Sequence, residues 1–247
     1  MYVANTNRYD NTIYNRCGRS GLVLPRISLG MWQNFGKNAD YDTMKDIILT
    51  AFDHGITYFD LANNYGPDPG QAEINFGKIF NENLKPYRDE IIIATKAGYE
   101  MWPGPYGGRG GSRKYLTASL DQSLKRMGID YVDIFYHHCL DPDTPLKETA
   151  LCMSDIVRQG KSLYIGMSNY DGKKMHRMYH KCDDYNVPFV VNQNRYNILD
   201  RQVEYNSLKK ECFSKHKGLV AFSPLAQGRL SDKFRNGIPE SSRLYGK

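Results

Sequence analysis

The stretch FDLANNYG, residues 59–66, ends a short apolar run in Asp60 and brings Tyr65 five positions later. Lys96 closes the run IIIATK at 91–96, and His138 closes YVDIFYHH at 131–138. An amine at the end of an apolar run needs a buried partner. Singly, each residue has an ordinary explanation: a strand-end Asp caps a turn, and a His in an apolar run is a satisfied core side chain. Together they form an acid–base set. The Lys ammonium can lower the Tyr pKa, the Asp can hold the Lys, and the His can hydrogen-bond a substrate oxygen.

His137, His138 and Cys139 stand in a row and raise two other chemistries. Neighbours on a strand point to opposite faces, so only one histidine can easily face a shared centre. The chain has no H-E-x-x-H or C-x-x-C, and no metal is expected. Adjacent residues rarely reach the geometry of a Cys–His nucleophile pair, which leaves Cys139 as a small packed thiol. The nucleotide signatures also fail. GGRGGSR has Arg113 where G-x-G-x-x-G needs its last Gly, and QGKS at 159–162 has Asp155 where a P-loop needs its first.

The elements that must position these side chains alternate. Near-continuous apolar runs read as buried parallel strands near 26–30 and at 56–60, 91–96, 131–138, 162–169, 188–194 and 218–224. Between them lie helical patterns. One ends at Gly55, one stops at Gly128, and one opens with Thr144 as N-cap and Pro145 at N1; others cover roughly 71–80, 173–186 and 203–216. The repeat length, about 30 residues, is that of one βα unit, and seven such units without a large insertion favour a (β/α)8 TIM-type barrel over an open sheet. The segment IYNRCGRSGLVLP reads as an N-terminal β-hairpin that closes the bottom of the barrel. In such a barrel, Asp60, Lys96 and His138 fall at strand C-terminal ends, where catalytic groups sit.

Composition sets the class. At 247 residues, 40% apolar and 24% charged, the chain reads as one soluble α/β domain spanning residues 1–247. The net charge of +6 is spread without a basic run, which gives no footprint for nucleic acid. The apolar runs are too short to span a bilayer, and the polar start MYVANTNRYDNT lacks the regions of a signal peptide. The five cysteines are scattered and odd in number, as reduced thiols in a cytosol would be, so the expected setting is cytoplasmic.

With these residues in view, the sequence resembles the aldo-keto reductase superfamily, nearest the branch of L-glyceraldehyde 3-phosphate reductases and potassium-channel β subunits. YFDLANNYG resembles the family's Asp strand with its catalytic Tyr, ATKAG its Lys strand, and YVDIFYHHCLDPDTPLKET its His strand. GMWQNFG and MWPGPYGGRGG point to that branch. The resemblance implies that Tyr65 is the general acid protonating a carbonyl oxygen as hydride arrives from a nicotinamide. Lys96 and Asp60 would tune it, and His138 would orient the carbonyl. It further implies NADPH as cofactor. Ser168, Asn169 and Gln193 would hold its carboxamide, and Ser223, Pro224, Leu225 and Gln227 would cover its pyrophosphate. Lys233 and Arg243 would pair with phosphate charge, and Trp32 would wall the pocket near the nicotinamide. Outside the resemblance, Ser168 and Asn169 could merely cap a helix, and Lys233 could be a solvated charge.

The Gly-rich loop from Trp102 to Ser112 reads as a flap over the site, where Arg109 and Arg113 could meet a phosphorylated substrate. The expected activity is reduction of small aldehydes, triose phosphate or methylglyoxal among them, by a homo-oligomer, tetrameric or larger as the resemblance implies. Seven strands are read where the family has eight, so the barrel is expected to be incomplete, truncated before its last helix, strand eight and final helix. The rival readings are a non-catalytic NADP-sensing regulatory subunit, an inactive fragment of the reductase, and a barrel lyase or isomerase using the Lys alone.

Overall fold

The computed structural model describes residues 2–240, 242, 245 and 246. An antiparallel hairpin comes first, β1 (Tyr14–Arg16) on β2 (Val23–Pro25), with Tyr14 opposite Pro25. Seven parallel strands then pair in chain order: β3 (Leu29–Gly30), β4 (Tyr58–Asp60), β5 (Ile92–Ala97), β6 (Val132–His137), β7 (Ser162–Ser168), β8 (Phe189–Arg195) and β9 (Gly218–Phe222). The sheet curls into a nearly closed barrel. Among the described residues β3 and β9 do not pair, so the expected seven-stranded, open-seamed (β/α) barrel is what forms.

Period-two alternation sorts the strand side chains between two cores. Tyr58, Ala94, Ile134, Tyr136 and Val191 point inward and meet Cys17, Leu22 and Leu24 of the hairpin. The hairpin thus plugs the end of the barrel opposite the strand C-termini. Phe59, Ile93, Phe135, Ile165 and Phe189 point outward and pack against the helices. The interior is tight at β7. A Cβ on Gly166 would stand 2.3 Å from the Tyr136 ring, so only glycine fits there.

The helices follow their caps. α1 (Tyr41–Asp53) starts where the Asp40 side chain accepts from the Thr43 N–H, and Gly55 leaves it at φ +76°. α2 (Gln71–Ile79) runs into a π-helical turn at 80–84 and a 3-10 stretch at 85–90 carrying Pro86. α3 (Arg113–Met127) begins at the Ser112 cap, before the expected periodicity, and ends at Gly128 with φ +65°. α4 (Leu146–Arg158) has Pro145, not Thr144, as its N-cap, because the Thr144 hydroxyl donates to Asp141 Oδ2 at 2.5 Å instead. After α5 (Gly172–Asp184), the helix expected over 203–216 is two: α6 (Gln202–Tyr205) and α7 (Leu208–Ser214). The left-handed Ser207, at φ +66°, divides them.

Candidate active site

The alternation that turns Tyr58 into the barrel turns Asp60 inward at the mouth, and Lys96 rises beside it from β5. Lys96 is fully buried, and its ammonium has three acceptors for three hydrogens: Asp60 Oδ2 at 2.6 Å, Leu61 O at 2.6 Å and the Tyr65 hydroxyl at 3.3 Å. Burial opposes the charge, but the Asp60 carboxylate and the Tyr65 phenol outweigh it, and the ammonium is held above the usual lysine value. Asp60 Oδ1 accepts from Gln193 Nε2 at 3.0 Å and from the Tyr58 hydroxyl at 3.3 Å, and Tyr58 in turn meets the Tyr136 hydroxyl at 2.7 Å.

Tyr65 is set by a tight turn: its N–H bonds Ala62 O at 3.0 Å, and the following Gly66, at φ +89°, donates to Trp32 O. The phenol accepts from Lys96, which leaves its own hydrogen to point elsewhere. The Lys96 charge does pull the phenol pKa down, as expected, yet burial is the larger effect and the net shift is upward. Tyr65 is therefore a protonated acid in the free protein.

His138 lies one residue past β6, held by its N–H to Ala97 O at 2.8 Å and by its carbonyl, which accepts from Asn169 Nδ2 at 3.0 Å. Its ring stands edge-on to Tyr65 at 5.8 Å and to Tyr99 at 4.6 Å. Burial, then Lys96 and His137, keep it well below the usual histidine value, so it is neutral. His137 points the other way, as alternation requires: Nδ1 lies 2.7 Å from the Tyr170 hydroxyl, and burial lowers its pKa to about 4. The Cys139 thiol donates to Gly98 O at 3.1 Å, and burial pushes its pKa up. Among the described residues no three His, Cys, Asp or Glu side chains gather as a metal site.

The residues proposed for the cofactor fall into two groups. Ser168, Asn169 and Gln193 meet at the mouth beside Asp60. Asn169 takes φ +60°, its N–H bonds Gln193 O at 3.0 Å, and its amide donates to Ser168 Oγ at 3.2 Å. They do not cap α5, which Asp171 does. Past β9, Ser223, Ala226 and Gln227 all take positive φ, with Pro224, Leu225 and Gln227 exposed. In such a turn the backbone N–H groups not used internally can face an anion; Pro224 has none, and the Ala226 N–H already bonds Ser223 O at 2.9 Å. Trp32 is 48% exposed beside the Tyr65 turn, Lys233 is exposed on a 3-10 turn at 232–234, and Arg243 lies outside the described residues. The two loop arginines separate. Arg109 meets the Cys139 sulfur and lies over the Tyr99 ring, whereas Arg113 is held by Asp155 between α3 and α4.

Two participants escaped the sequence reading. Tyr58 was findable, since a residue two before Asp60 shares its face. Tyr99 was not, because nothing local says that a loop returns its ring to His138.

Comparison with known proteins gives one family. The model of the aldo/keto reductase family matches residues 26–244. The chain is 51% identical to the L-glyceraldehyde 3-phosphate reductase of Escherichia coli O157:H7 over 245 residues, covering 99% of this chain and 70% of that protein. It is 35% identical to a probable voltage-gated potassium channel subunit beta of Arabidopsis thaliana, covering 94% and 70%. Among solved structures, a thermostable aldo-keto reductase in complex with the inhibitor epalrestat superposes with a TM-score of 0.76 at 34% identity, covering 90% of this chain and 76% of that one.

Proposed function

This chain belongs to the aldo/keto reductase family, and from that premise we propose that it reduces small aldehydes with NADPH. The observation that carries the reading is the Lys96 ammonium bridging Asp60 and the Tyr65 hydroxyl, with neutral His138 beside the phenol. Bound NADPH would supply the hydride. Tyr65 gives its phenolic proton to the carbonyl oxygen, and Lys96 offsets the phenolate left behind. Asp60 keeps the ammonium in place. His138, neutral, carries one ring N–H, and donating it to the carbonyl oxygen orients the carbonyl.

The mouth has donors and acceptors to fit the cofactor. With the Asn169 and Gln193 amide nitrogens engaged inside the protein, the Ser168 hydroxyl hydrogen and the Asn169 side-chain oxygen, which bond no other described residue, are left for a carboxamide. The turn over 223–227, left-handed at Ser223, Ala226 and Gln227, suits a pyrophosphate, and Lys233 is within the same loop region for further phosphate charge, which favours NADPH over NADH. A cytoplasmic setting fits five buried, unbridged cysteines, and no helix is long and apolar enough to cross a membrane among the described residues.

The test is a fluorescence titration with NADPH, followed in the same cuvette by oxidation with methylglyoxal. Binding with turnover that vanishes in Tyr65→Phe supports the reductase. Binding without turnover supports the second reading, an NADP-sensing subunit, which the likeness to a channel subunit favours and which His138 counts against.

A further inference from the structure

Lys96 cannot recognise a substrate anion, because all three of its hydrogens are engaged within the protein. The formal cation next along the side chains that lead away from Tyr65 is Arg109. From Tyr65 the contacts run to His138, then to Tyr99 with its ring 4.6 Å from the imidazole, then to the Arg109 guanidinium 5.8 Å from the Tyr99 centroid. Arg109 is exposed, and among the described residues no carboxylate lies within ion-pair distance of it. Its contact is the Cys139 sulfur, which burial keeps as a neutral thiol.

The nearby carboxylate, Asp141, is occupied elsewhere. It accepts from the Gly111 N–H at 2.9 Å, the Asp143 N–H at 3.0 Å and the Thr144 hydroxyl at 2.5 Å. These bonds also fix the loop that carries Arg109. Gly110 N–H bonds Gly98 O, and Thr149 Oγ1 donates to Gly111 O at 2.9 Å, so the backbone just after Arg109 is tied to the end of β5 and to α4, while two residues before it Gly107 O accepts from the Met101 N–H at 2.8 Å. A guanidinium on a pinned backbone, near the Asp141 charge but ion-paired to no carboxylate, has its N–H groups available to an anion. The contrast with Arg113, four residues on and already paired to Asp155, assigns the role to one arginine of the two.

We infer that Arg109, lying over Tyr99, is a specificity-determining residue that selects carbonyl substrates carrying an anionic group, phosphate or carboxylate, at the end remote from the reacting carbon. This deepens the reductase reading and rests on it. No bond is made or broken at Arg109. It raises the occupancy of one substrate class over the neutral class that shares the same Tyr65.

The experiment compares NADPH oxidation with glyceraldehyde 3-phosphate and with neutral methylglyoxal in the wild type, Arg109→Gln and Arg109→Lys. A charge-assisted hydrogen bond lost from the complex lowers kcat/KM for the phosphorylated aldehyde roughly 10- to 100-fold in Arg109→Gln, mostly through KM. Methylglyoxal turnover stays within about twofold, Arg109→Lys recovers part of the loss, and inorganic phosphate inhibits the wild type more than Arg109→Gln. Equal losses for both aldehydes make Arg109 a prop for the loop and overturn the assignment, as does no loss for either. A wild type that binds NADPH but oxidises it with neither aldehyde overturns the reductase reading and the subsite with it. Turnover of methylglyoxal alone overturns the subsite and spares the reductase.

Discussion

Lys96 Nζ lies 2.6 Å from Asp60 Oδ2 with the lysine side chain at 0% exposure, so each charge depends on the other. Asp60→Asn leaves an ammonium with no ionic partner in the barrel. Breaking a buried pair from one side costs about 3–5 kcal/mol, because the orphaned charge must be desolvated or neutralised. Urea denaturation at neutral pH measures that loss, and adding Lys96→Met to Asp60→Asn recovers part of it. The pH dependence has a definite sign. The folded pKa of Lys96 lies above the ordinary 10.5, so its contribution is fully present below that value and is lost as pH rises through the raised one. The double variant loses less stability at strongly alkaline pH than the wild type.

Tyr65→Phe removes the proton donor and leaves the fold almost untouched, since the phenol accepts one 3.3 Å bond from an ammonium that has two shorter ones. Aldehyde reduction falls about 10²- to 10⁴-fold, the usual worth of a positioned general acid, while NADPH affinity stays near wild type. In the wild type the phenol pKa is above 10.0, because burial outweighs the pull of Lys96. Loss of the acid therefore does not limit the rate through pH 9. A kcat profile that already declines at pH 8 in proportion to phenol ionisation contradicts this.

At the acid end the sign reverses. His137 is fully enclosed and neutral down to about 4, while an unfolded histidine protonates near 6.5. Its contribution is present above 6.5 and is lost as pH falls toward 4, about 3 kcal/mol over the window. His137→Asn can still place a polar atom toward Tyr170 but does not titrate there. Stability curves of the two proteins, parallel above pH 7, converge between 6.5 and 4.

Much of this was readable before any coordinates, and the reason is periodicity. Strands buried on both faces print as unbroken apolar runs, so an Asp, Lys or His that ends one declares itself, and the barrel then places all three at one mouth. What was not readable depended on competition or on distance. Thr144 has the right type to cap α4, yet Asp141 claims its hydroxyl. The direction of the Tyr65 shift follows from how much water the folded barrel excludes, which no spacing reports. Arg109 meets Tyr99 from a loop whose path is set at Gly111 by Asp141 and Thr149, 30 and 38 residues downstream. Arg113 shares that loop's sequence signature and ends on the outer helices.

Gly166 gives the last prediction, because it links the barrel core to the acid–base set. Its backbone sits in an ordinary strand conformation, so only space forbids a side chain. The Cβ of Gly166→Ala would meet Tyr136 Cδ1 and Cε1 at 2.3 Å. The ring cannot retreat freely: its hydroxyl bonds Tyr58, and Tyr58 bonds Asp60. Overpacking of this kind costs about 1–3 kcal/mol. The strain also travels, since moving Tyr136 moves the donor that holds Asp60 Oδ1. Gly166→Ala therefore lowers both the urea midpoint and kcat, whereas Tyr136→Leu relieves the clash. In the double variant the stability losses are less than additive, as expected for residues sharing one space. Strict additivity would mean that the two side chains do not meet in solution as they do in this barrel.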